Sequence, residues 1–214
     1  MKSPLTDGIH SLDSSSDSLE VWNRFVRESP SAGFYHRFEW KSVNENEFGH
    51  QTYYLASASK GEIEGILPFV LIRSRLFGRI LCSMPFVNFC GPSSATSTAE
   101  AALLKHAYQL ADQESVDYFE IRSLHVSDSE LPVSHDKVSM TVPLASDPDL
   151  LWDAFTSKHR NNIRRAYKSG LHVKSGHIEL LDTFYDLLSR SWRDLGTPVY
   201  RKRYFESILR EFGE

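Results

Sequence analysis

Five cations stand within the stretch SKHRNNIRRAYKSG, residues 157–170: Lys158, Arg160, Arg164, Arg165 and Lys168, with no carboxylate among them. On a helix, Arg160, Arg164 and Lys168 recur every fourth residue and so form one stripe. Lys158 and Arg165 flank that stripe, while Phe155, Ile163, Ala166 and Tyr167 supply an apolar side. Like charges one turn apart repel by about 0.2–0.5 kcal/mol per pair. A bound anion would relieve that repulsion, and arginine forks match phosphate geometry. A solvated basic face is the plainer alternative, and charge alone leaves both open. A second basic stretch runs from Gly65 to Ala99, which holds no acid but carries Arg73, Arg75 and Arg79 on a strand–turn–strand. There, arginines at an exposed turn serve most simply as solubilising gatekeepers.

The rest of the composition bounds the answer. The 214 residues carry a net charge of −4, so a general nucleic-acid coat protein, with its overall basic footprint, is a poor fit. A hydrophobic content of 41% and an aromatic content of 12% are ample for a packed core. Cys82 and Cys90 lie in apolar sequence and read as buried free thiols, too few for a disulfide framework or a zinc set. No GxSxG, HExxH or GxxxxGK[ST] pattern occurs. His125 and His135 stand near Asp128 and Asp136 but lack helical ligand spacing, which favours a surface role over metal. The first residues lack the apolar stretch of a signal peptide, and no apolar run reaches membrane-spanning length. A soluble, cytoplasmic protein is expected.

The elements that must position the cations follow from patterning. Residues 1–18 are rich in Ser and Asp and predict a mobile tail. SLEVWNRFVRES predicts a helix capped by Ser18, with Trp22, Phe25 and Val26 on one face, stopped at Pro30. Two β-rich runs around SKGE, residues 59–62, predict a hairpin over 51–75. A strand and an irregular apolar loop follow in RILCSMPFVNFCGPSS. Residues 97–112 predict a helix with Ala101, Leu104, Ala107, Tyr108 and Ala111 inward. DYFEIRSL predicts a strand, as does KVSMTVPL, with Val138, Met140 and Val142 inward. Asp147-Pro148 opens the helical segment that carries the cations and ends at Gly170. LHVKSG predicts a short strand. A helix over 177–196 then carries Leu180, Leu181, Phe184, Leu187, Leu188 and Trp192 along one stripe. The last helix has an apolar face of Tyr204, Phe205, Ile208, Leu209 and Phe212, for which nothing later in the sequence offers a partner. The expectation is a chain that stops inside a second structural unit.

FTSKHRNNIRRAYKSGLHV resembles the signature closing the first half of FemAB-like proteins. These are transferases built from two GNAT-like units, that is, units of the acyl-CoA N-acyltransferase fold. FYHRFEW, Phe34 to Trp40, resembles the family's aromatic–x–x–x–x–Trp lead into the first sheet, and PFVNFCGPSS resembles its apolar loop ending in Gly-Pro. SWRDLGTPVYRKRYFESILREFG is similar to the subgroup associated with exosortase/PEP-CTERM and exopolysaccharide systems. The resemblance spans residues 19–214.

It implies an α/β (α+β) chain: a GNAT-like mixed sheet flanked by helices, with the opening helices of a second GNAT-like unit. The division expected is a tail over 1–18, a first GNAT-like domain over 19–176 and the start of a second over 177–214. It further implies transfer of an amino acid or acyl group to an amine on a cell-envelope or exopolysaccharide-related acceptor. The donor would be aminoacyl-tRNA or acyl-CoA, and the acceptor a phosphorylated or nucleotide-linked small molecule. Arg160 and Arg164, assisted by Lys158, Arg165 and Lys168, would grip a substrate diphosphate, and Trp40 and Lys41 would lie where the first half approaches the acceptor. One departure bears on the donor. A GNAT pyrophosphate cradle needs a glycine-rich turn before a helix, whereas the turn before residues 97–112 is FCGPSSATST, with one glycine and a proline that lacks an amide donor. No cofactor is therefore expected on this first unit, and the catalytic residues are not identified. The reading from a different class is a non-catalytic anion- or RNA-binding module using helix 157–170.

Overall fold

A computed structural model describes residues 5–124, 131–134 and 138–213. The centre of the molecule is the expected hairpin. Strand β2 (Gln51–Ser59) pairs antiparallel with β3 (Glu62–Ser74), and the register Ser59↔Glu62 leaves a two-residue loop. Lys60 (φ 52°) and Gly61 (φ 87°) are both left-handed, the geometry that twisted two-residue hairpins favour. Period two then sorts the side chains. Leu67, Phe69 and Leu71 point to one face, Ile66 and Val70 to the other, and all five are buried.

Each face acquires a helical cover. On one side lies α3 (Ser97–Gln113), which buries Ala99, Leu103, Leu104, Ala107, Leu110 and Ala111. The stripe is rotated from the expected one: Ala101 and Tyr108 face solvent, because Leu103 and Leu110 are the larger apolar anchors. On the other side lie α1 (Ser16–Glu28) and α2 (Glu39–Phe48), with Trp22, Phe38, Trp40 and Val43 in the core. The α1 cap is Ser15, whose side chain accepts from the Ser18 amide, three residues ahead of the cap expected.

The sheet is completed by β1 (Gly8–Leu12), β4 (Gly78–Cys82), β5 (Ser93–Ser94) and β6 (Tyr118–Glu120). Its order is β1-β2-β3-β4-β6, with β5 on β3; β4 and β6 run parallel across the α3 crossover, and the other pairs are antiparallel. Residues 8–12, expected in a mobile tail, instead form an edge strand on β2. Ile9 and Leu12 pack toward opposite cores, and the ladder supplies the backbone partners that a Ser/Asp-rich sequence does not advertise.

After the sheet come α4 (Pro148–Ala154), α5 (Ser157–Lys168), α6 (Leu181–Asp194) and α7 (Lys202–Phe212). The strands expected in KVSMTVPL and LHVKSG do not form: residues 138–144 and 171–176 join no ladder among the described residues, and Val138 and Met140 stay 82% and 89% exposed. Alternation alone cannot make a strand without a paired neighbour. His125 and His135 lie outside the described residues.

The last helix does have a partner. Phe212 stacks against Phe34 and Trp40, with ring centroids at 4.8 and 5.1 Å, and Tyr204 meets Phe48 at 5.5 Å. Helix α7 thus lies on α2, part of the first unit's core, contrary to the expectation of an uncovered face. Helix α6 leans on α7 through Phe184–Phe205 and on the segment leading into it through Trp192–Tyr200, but of its expected stripe only Leu181 is buried. Local stability follows buried contacts, so backbone amides of α3 should exchange slowest, those of α7 next, and those of α5, which buries no residue, fastest. Hydrogen exchange read by peptide mass spectrometry checks this order; protection of α5 equal to that of α3 would contradict it.

Candidate functional site

The cations are presented by an elbow of two short helices. Asp147 caps α4 by accepting from the Asp149 amide at 2.9 Å, and Pro148 occupies the first turn, where no amide partner is needed. Phe155 leaves helical geometry, Thr156 caps α5 by accepting from the His159 amide, and Gly170 (φ 70°) follows its end. The elbow is tied by Arg160, whose Nη1 donates to the carbonyls of Trp152 and Asp153 at 3.4 and 3.2 Å. Those are terminal α4 carbonyls, the negative end of that helix. Arg164 lies over the Trp152 ring, 5.2 Å from its centroid, and donates to Asn161 Oδ1 at 3.2 Å.

The five cations therefore divide. Arg160 and Arg164 are oriented by Trp152, whereas Lys158, Arg165 and Lys168 extend into solvent. Among the described residues none of the five pairs with a carboxylate. Arg165 and Lys168 gain a little from the helix C-terminus, which is a reason for those two that needs no ligand.

Trp40 and Lys41 lie in the interior instead of beside this elbow's charges. Trp40 is 3% exposed and donates from Nε1 to the Phe34 carbonyl. Lys41 is 6% exposed; its Nζ donates to Glu45 Oε1 at 2.6 Å and Thr52 Oγ1 at 2.7 Å and lies over the Tyr54 ring. Its charge is answered within the fold.

A second constellation escapes any sequence pattern. It lies beyond the carboxyl ends of the parallel pair β4 and β6, the position where open α/β sheets place ligands. Ser83 Oγ accepts from the Arg122 amide at 2.8 Å, Arg122 Nε donates to Glu120 Oε1 at 2.9 Å, and its Nη1 donates to the Val87 carbonyl at 3.3 Å. The loop between carries two left-handed non-glycine residues, Met84 (φ 52°) and Phe86 (φ 70°), a conformation held only where packing enforces it. Phe86 is fixed between Phe48, at 4.5 Å, and Tyr200, at 5.7 Å. Gly91 is required at the loop's far end: a Cβ there would lie 2.7 Å from Ser123 Oγ and 3.0 Å from the Ser123 Cα.

His36 holds that end down. Its Nδ1 accepts from the Gly33 amide at 3.1 Å, so Nε2 carries the proton and donates to the Gly91 carbonyl at 2.9 Å. The two thiols nearby are inert. Burial pushes Cys82 up to about 12 and Cys90 well above its ordinary value, so neither supplies a thiolate nucleophile. At the α3 N-terminus, Thr96 Oγ1 accepts from the Ala99 amide and Glu100 adds an acid to the first turn. A carboxylate there opposes a second anion.

Comparison with known proteins places these features. Residues 141–214 match the FemAB family model. That segment contains α4, α5, α6 and α7, and so all five elbow cations. Among solved structures, the crystal structure of FemX superposes with a TM-score of 0.63 at 18% identity, covering 95% of this chain and 54% of that one. The chain thus has the FemX fold over nearly its whole length and spans about half the length of FemX. A probable acetyltransferase also matches, at 13% identity and a TM-score of 0.40, over 65% of this chain and 99% of its own. The mixed sheet flanked by helices is the α/β architecture expected from the sequence. No curated protein matches the chain.

The His36 arrangement carries a pH dependence. Burial lowers the His36 pKa below its ordinary value near 6.5, and burial does the same for His50. A depressed histidine is bound by more protons in the unfolded state, so stability should fall as pH drops from about 7 through 6.5 toward the folded-state values. His36→Gln should flatten that fall while lowering stability overall. Urea midpoints measured from pH 7.5 to 5 on both proteins check it; an unchanged slope would show that His36 contributes nothing to it.

Proposed function

We propose that this chain is part of a FemAB-like N-acyl or aminoacyl transferase acting on an amine of a cell-envelope or exopolysaccharide-related acceptor. The observation that carries the proposal is the coincidence of the FemAB match over residues 141–214 with a fold that follows FemX over 95% of the chain. The Gly196–Tyr200 stretch is the ground for proposing a place near the exosortase-associated members, and a cytoplasmic location is proposed with it. The acceptor amine attacks the carbonyl carbon of an activated ester or thioester, a tetrahedral oxyanion forms, a base or bound water takes the amine proton, and the C–O or C–S bond breaks to give the amide and the free alcohol or thiol, which receives that proton. Such a step needs positioned reactants and donors for the oxyanion more than covalent help. The donor proposed is aminoacyl-tRNA or acyl-CoA.

The elbow's part is to hold phosphate. Arg160 and Arg164 are pre-oriented by Trp152, which lowers the entropy lost on forming a bidentate contact. Lys158, Arg165 and Lys168 add charge around them. Trp40 and Lys41, expected beside the acceptor, are buried in the fold instead: Trp40 underlies Phe212 of α7, and Lys41 is held by Glu45 and Thr52.

Calorimetric titration with a nucleotide-linked envelope precursor tests the assignment on the intact protein. Arg164→Ala should weaken binding by about 1.5–3 kcal/mol, the range for hydrogen bonds to charged groups, with little change in melting temperature. Arg160→Ala should show a similar loss and also a lower melting temperature of the elbow, since it ties α4 to α5. Arg164→Lys should recover only part, and raised salt should weaken the wild type more than either variant. Affinity unchanged in both alanine variants would reduce α5 to a solvated face. Binding without turnover, given an acyl or aminoacyl donor, would instead favour a non-catalytic anion- or RNA-binding module.

A further inference from the structure

The β3–β4 hairpin does not end where the sheet ends. The β2 ladder reaches only to Leu71 of β3, and β6 begins its pairing at Ile80 of β4. The turn at residues 74–77 therefore lies beyond both ladders, joined to the sheet through the cross-strand pairs Arg73↔Arg79 and Ser74↔Gly78. At its tip stand Leu76 and Phe77, adjacent and 81% and 72% exposed. Single exposed apolar residues are ordinary on protein surfaces; two large ones side by side on a projecting tip have no role in the core.

The tip is built to present them. Ser74 Oγ accepts from the amides of both Leu76 and Phe77 at 3.2 Å, closing the turn from inside and leaving the two side chains outward. Gly78 holds left-handed backbone (φ 75°) that favours glycine, and Asp117 beside it accepts from the Arg79 amide at 2.8 Å. Arginines surround the tip. Arg73 and Arg79 are cross-strand partners that share Glu114, and Arg75 is exposed with no carboxylate partner among the described residues. Three guanidiniums against Glu114 and Asp117 leave the ribbon's end positive.

We infer that this hairpin tip docks the protein on an anionic lipid bilayer. Leu76 and Phe77 enter the boundary between headgroups and acyl chains, while the arginines stay at headgroup level, their stems along the apolar boundary. Charge complementarity selects the occupant: Arg75, without a carboxylate partner among the described residues, faces the lipid phosphates, which attract a cation near the surface by about 1 kcal/mol. A convex point of two side chains suits a deformable surface, whereas a stable protein interface buries about 800 Å² on each partner. No helix among the described residues is long and apolar enough to cross a membrane, and the tip itself reaches only the bilayer surface. The inference does not depend on the transferase reading, since none of the elbow cations takes part.

Cosedimentation of the intact protein with phosphatidylcholine vesicles, with and without phosphatidylglycerol, tests it. Wild type should pellet with the anionic vesicles and far less with phosphatidylcholine alone. Replacing both Leu76 and Phe77 by Ser should lower the partition coefficient by about tenfold or more, given the apolar area lost. Arg75→Ala should lower it about fivefold, the equivalent of one surface cation. Melting temperatures should be unchanged, because these side chains pack on nothing. In Phe77→Trp, emission should shift to the blue when anionic vesicles are added. Failure of the wild type to pellet, or equal pelleting of the double serine variant, would overturn the inference. So would an oligomer in sedimentation velocity that the double variant abolishes while vesicles capture neither protein, which would make the tip a contact between copies.

Discussion

The β2–β3 pair constrains everything else in the molecule. Leu55, Leu67, Phe69 and Leu71 on one face and Tyr54, Ala56, Ile66 and Val70 on the other are all buried. A hairpin apolar on both faces cannot exist in water alone, so each face must be covered within the chain. Helix α3 meets the first face, and its return to β6 aligns β6 parallel to β4. Helices α1 and α2 meet the second, and that choice creates the aromatic surface of Phe34, Trp40 and Phe48 on which α7 comes to rest. The long reach of β3, which pairs with β2, β4 and β5 in turn, is also why one end overshoots its neighbours and projects a tip.

How much of this the sequence displays depends on whether a signal is local. The hairpin is legible because Lys60-Gly61 sits between two β-rich runs, and α3 because its apolar positions recur at helical spacing over four turns. The elbow is legible in Asp147-Pro148 and Gly170, which punctuate locally. Strand β1 is not: five residues with two apolar side chains gain their structure from a ladder to residues 54–58, some 45 positions away. The docking of α7 on α2 is hidden for the same reason. Tyr204 and Phe212 announce an apolar face, but nothing in their own helix names Phe34, Trp40 and Phe48 as its cover. KVSMTVPL shows the opposite failure, a clean alternation with no neighbouring strand to pair it.

The candidate site divides along the same line. Five cations without an acid can be counted in the sequence. That Arg160 ties two helices, that Arg164 lies over Trp152, and that Lys41 is buried against Glu45 and Thr52 cannot, since each depends on which residues the fold brings within reach. Arg122 and His36 left no pattern at all. They act through carbonyls of Val87 and Gly91, and backbone acceptors are invisible to residue type.

The placement of charge against rigidity bears on how such a molecule could work. The ion pair Lys41–Glu45 is consumed internally, with Lys41 of α2 buried. Helix α5 carries five cations without carboxylate partners among the described residues, buries nothing and is tied down chiefly by Arg160 and the Trp152 platform. Low local stability is the usual property of elements that move when ligand binds. An anion seated on α5 would cancel the like-charge repulsion along the stripe, so binding and ordering of the elbow would reinforce each other. The sheet, by contrast, has no such slack: Met84 and Phe86 hold left-handed backbone only because Phe48, Tyr200 and Tyr204 pack around the loop. The tightly packed loop at Met84–Phe86 and the sparsely packed cationic elbow thus mark the two extremes of order in this arrangement of packing and charge.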